Sequence, residues 1–134
     1  MNWCLFTFTS NPIEVAEENQ LDIAGQLSRT DLFEAFKAQL AKDCEQSNFP
    51  NDFVSKLIPD YHVIQNTLAQ ELKRNENKTD FHINHLLYRI DISEMQLRKY
   101  LSDKPNESYF MVLAELIIKR VLQKVVIRKF YRNI

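Results

Sequence analysis

A single glycine, Gly25, serves the whole chain of 134 residues, and that scarcity restricts the fold more than any motif in it. Glycine supplies the positive φ that hairpins and tight β-turns draw on, so one glycine and four prolines leave little from which to build a meander or a barrel. Helix interiors need no such residues. Hydrophobic residues at 45% and charged residues at 26% are the proportions of a globular domain, not of a disordered chain, and the length suits one core. The expectation is an all-α fold: a compact bundle of about five helices with a long C-terminal helix, forming a single domain over residues 28–134. Residues 1–27 are expected to be an extended or partly disordered segment. Trp3 to Phe8 alternates weakly like a strand, but no second β-rich stretch exists to pair with it. An acidic helix from Glu14 to Gln26 around Val15, Ile23 and Leu27 has only a thin apolar face.

Helical periodicity is clearest in five places. Leu32, Phe33, Phe36, Leu40 and Cys44 place a helix over Asp31 to Cys44, with Ser28 or Thr30 as its cap. A short helix over Asn51 to Ile58 would bury Phe53, Val54, Leu57 and Ile58 before Pro59 ends it. Tyr61, Ile64, Leu68 and Leu72 continue the pattern up to a polar loop at Arg74 to Thr79. Asp80 to Ile90 buries Phe81, Leu86, Leu87 and Ile90. Ser93 and Gln96 then read as a capping box for a helix over Glu94 to Leu101, with Ile92 and Leu97 as its hydrophobic staple.

After the loop at Ser102 to Asn106, the last helix is expected to run from Glu107 to about Tyr131, capped by Asn106. Its apolar residues, from Phe110 through Leu113, Leu116, Ile117, Val121, Leu122 and Val125 to Phe130, encircle much of the axis. That implies burial on several sides, supplied by the chain's own helices or by a second copy. On the same helix Arg120, Lys124, Arg128 and Arg132 recur every four residues and form one inclined basic stripe. Such a stripe could hold phosphates by charge alone, without reading sequence. The competing role is internal. Met1 to Thr67 carry ten acidic and four basic residues, a charge of −6, whereas Leu68 to Ile134 carry eight and thirteen, a charge of +5. The halves can therefore attract each other, and cations are favoured at a helix C-terminus in any case.

No constellation points to catalysis. Cys4 and Cys44 lack the spacing of a zinc or redox pair and read as reduced thiols of a cytoplasmic protein. His82 and His85 stand three apart, but the Glu-x-x-His pairs of a bundle di-iron site are missing, so neither metal nor cofactor is expected. With one glycine there is no phosphate-cradling loop and no strained nucleophile turn. The most apolar stretch, Tyr109 to Ile118, is interrupted by Glu115 and followed by Lys119 and Arg120, too short for a membrane span. Tyr88, Arg89 and Asp91 read as a structural polar cluster at a helix end, the Tyr88 ring in the core and Arg89 on a carboxylate or a last-turn carbonyl.

The stretches LLYRIDISE (Leu86 to Glu94) and LAELIIKRVLQKVVIRKF (Leu113 to Phe130) resemble the C-terminal part of small uncharacterised bacterial helical proteins. That resemblance implies an all-α fold and no assigned activity. The expected function is a non-enzymatic helical interaction or structural protein, self-associating as a homodimer or bound to a protein partner. The alternative is a weak nucleic-acid or anion binder acting through the basic stripe.

Overall fold

A computed structural model describes residues 23–78 and 83–131. Its main elements are helices α1 (Thr30–Gln46), α2 (Tyr61–Asn75), α3 (Ile83–Ile90), α4 (Glu94–Asp103) and α5 (Tyr109–Tyr131), with a 3-10 turn at Val54–Lys56 between α1 and α2. No strand occurs among the described residues. The chain is an all-α bundle, and α1, α2, α3 and α4 all pack on α5. At 1.5 Å per residue, α5 is roughly 34 Å long.

Every residue from Val112 to Ile118 is buried, followed by Arg120, Val121, Leu122 and Val125. A helix enclosed on all sides must be surrounded by other apolar elements. Here Phe36 and Leu40 of α1, Ile64, Leu68 and Leu72 of α2, Leu86 and Ile90 of α3, and Leu97 and Tyr100 of α4 complete the core. The chain's own helices thus supply the burial that α5 demands as far as Val125.

With Gly25 far from these joints, two other residues take the left-handed conformation. Asn48 has φ 60° and Asp91 φ 78°, and each ends a helix in the same way. After α1, the Phe49 amide donates to the Cys44 carbonyl at 2.9 Å and the Asn48 amide to Glu45 at 3.2 Å. After α3, the Ile92 amide donates to Leu87 at 2.8 Å and the Asp91 amide to Tyr88 at 3.1 Å. Both are Schellman closures, sealed by buried pairs Phe49 with Cys44 and Ile92 with Leu87. Asn and Asp tolerate this conformation better than other residues with a side chain.

The Ser93–Gln96 capping box forms as expected, with Ser93 Oγ accepting from the Gln96 amide at 3.1 Å and Gln96 Oε1 from the Ser93 amide at 2.9 Å. Ile92 and Leu97 are both buried beside it. Ser93→Ala should lower stability by about 1 kcal/mol, read from the midpoint of thermal unfolding. Asp60 caps α2 by accepting from the amides of His62 and Val63.

Several expectations need correction. Neither Ser28 nor Thr30 caps α1: Arg29 occupies that position without a side-chain capping bond, while Ser28 Oγ donates back to the Ala24 and Gly25 carbonyls. Ser28 closes the stretch before it, since residues 23–27 are helical and bury Ile23 and Leu27. Asn51 to Ile58 is not an α-helix but holds only the 3-10 turn Val54–Lys56, and Ile58 is 52% exposed while Phe53, Val54 and Leu57 are buried. The last helix begins at Tyr109 rather than Glu107, two residues beyond the reach of an Asn106 cap. Met1 to Asp22, with Trp3, Cys4 and Val15, lie outside the described residues, as do Phe81, His82 and Arg132. No helix among the described residues is long and apolar enough to cross a membrane.

Candidate interaction surface

Along the basic stripe of α5, burial falls from Arg120 through half-buried Lys124 to exposed Arg128. Arg120 is buried, and its guanidinium donates to the Asp91 carboxylate at 3.0 Å, the Asp91 carbonyl at 3.4 Å and Gln123 Oε1 at 3.0 Å. Lys124 donates to the buried Asp43 carboxylate at 3.2 Å. Arg128 donates to Gln39 Oε1 at 2.8 Å, and Gln39 Nε2 in turn donates to Asp43 at 3.1 Å. Gln39, Asp43, Lys124 and Arg128 therefore form one polar seam between α1 and α5. Just outside it, Lys129 pairs with Asp31 at 2.7 Å and holds that carboxyl well below its usual range, at about 2. This pair is present above the ordinary carboxylate range and is lost as pH falls toward about 2. The attraction between the acidic and basic halves is realised within the molecule.

A second charged group closes the opposite part of α5. Glu115 is buried and its carboxylate meets Lys119 at 2.8 Å and Lys104 at 3.5 Å. Lys119 also donates to the Tyr100 hydroxyl at 3.1 Å, and both ammoniums lie over the Tyr100 ring. The Tyr61 hydroxyl is buried nearby without a hydrogen bond among the described residues. Burial, then the charge of Glu115, pushes its pKa up. This clasp fastens the α4–α5 link over the start of α2.

Among the described residues, the histidines and the thiol do not assemble. His62 and His85 are exposed on different helices, and no group of three metal-ligating side chains occurs among the described residues. Cys44 is buried, and burial followed by the neighbouring Asp43 pushes its thiol up to about 12, the opposite of what a nucleophile requires. A shallow cleft of about 320 Å³ lies between the 3-10 turn and α2. Phe53, Leu57 and Val63 line it, but its charges are of both signs, and Glu71 and Arg74 pair with each other on its α2 side.

The outer side of α3 and α4 is different in kind. Tyr88 is 86% exposed and Met95 79% exposed. On α3, Leu86, Leu87 and Ile90 face the core, and at 100° per residue Tyr88 falls on the far side of the helix. On α4 the buried pair is Leu97 and Tyr100, which places Met95 outward by the same reasoning. Both helices pack on α5 and are joined by Asp91–Ser93, so the two outer faces flank one turn.

The expectation that the Tyr88 ring fills the core is therefore overturned: the inward positions of a two-turn helix are already taken by three aliphatic residues. The Asp91 carboxylate is held by Arg120 from 29 residues away. No family model, curated protein or solved structure matches the chain, so the resemblance over Leu86 to Glu94 and Leu113 to Phe130 stands on the sequence alone.

Proposed function

We propose that the chain is a helical interaction protein without catalytic chemistry of its own, and that the outer face of α3 and α4 is its contact surface. The observation that carries this reading is the exposure of Tyr88 and Met95 beside a core that buries nearly every other large apolar side chain of those helices. Tyrosine brings a large, stiff ring with a polar tip, and methionine adapts its shape to what it meets, which suits both to protein contact. Basic residues of the α5 stripe already hold Asp91, Asp43 and Gln39, which favours an architectural role for them over phosphate binding.

Affinity capture from cells expressing the tagged chain tests this. Tyr88→Asp combined with Met95→Asp changes two exposed side chains and should leave the circular dichroism and melting temperature of the protein intact. Wild type should retain a protein partner that the double variant loses. An identical set of bound proteins for both would overturn the reading.

A further inference from the structure

We draw no further inference here: the strongest candidate, the shallow cleft between the 3-10 turn and α2 lined by Phe53, Leu57 and Val63, carries charges of both signs that select no one ligand, and nothing in the structure shows what fills it.

Discussion

Lys124→Ala should lower the stability of the protein by about 3 kcal/mol, and Asp43→Ala by clearly less. The asymmetry follows from where each charge is left. Asp43 is 2% exposed and Lys124 23% exposed, so removing the lysine strands a carboxylate in the core, whereas removing the aspartate leaves an ammonium that can swing toward water. The Gln39 amide still donates to Asp43, which keeps the loss at the lower end of the range for breaking a buried pair. The double variant should lose less than the sum of the two singles, because the stranded charge is then gone. Urea unfolding of the three variants checks this. Equal losses for the two singles would mean that the seam is solvated in solution.

Asp91→Ala is the second large effect, expected at about 3 kcal/mol from two sources. An L-residue with a plain Cβ pays about 1–2 kcal/mol in the left-handed conformation, and Asp91 sits there at φ 78°. The rest is the loss of a charge-assisted bond to a buried guanidinium, about 1.5–3 kcal/mol. Asp91→Gly should recover the first part, since glycine adopts that backbone freely. Asp91→Asn, which tolerates the conformation and retains a carbonyl acceptor for Arg120, should cost least. The predicted order of melting temperatures is Asn, then Gly, then Ala. Alanine ranking above glycine would contradict the helix-end geometry described for α3.

The parts of the fold visible in the sequence are those set by local chemistry. The Ser93–Gln96 box and the 3.6-residue period of Ile64, Leu68 and Leu72 are complete within a few turns of chain, and they form where their residues stand. The outward position of Tyr88 was legible too, because Leu86, Leu87 and Ile90 already define the inner face of so short a helix. An internal role for the basic stripe was legible in the charges of the two halves, but its particular partners were not. Lys124 and Asp43 are 81 residues apart, and Arg128 and Gln39 are 89 apart, so no local pattern connects them. A partial signal existed on the acidic side. Asp43 and Gln39 fall seven residues after Phe36 and Leu32, on the buried stripe of α1, where a polar residue needs a partner from elsewhere. The two left-handed helix ends were hidden for another reason: Asn48 and Asp91 look like any polar loop residue until the backbone shows φ 60° and 78°.

From Val112 to Val125, α5 is enclosed by its own chain. Amide hydrogen exchange of the full chain, followed at a high and a low protein concentration, tests this enclosure. The slowest amides should lie in Val112–Leu122 and keep the same protection at both concentrations. Protection of Val112–Leu122 that falls away on dilution would contradict the account, because it would mean that a partner, rather than the chain's own helices, covers α5.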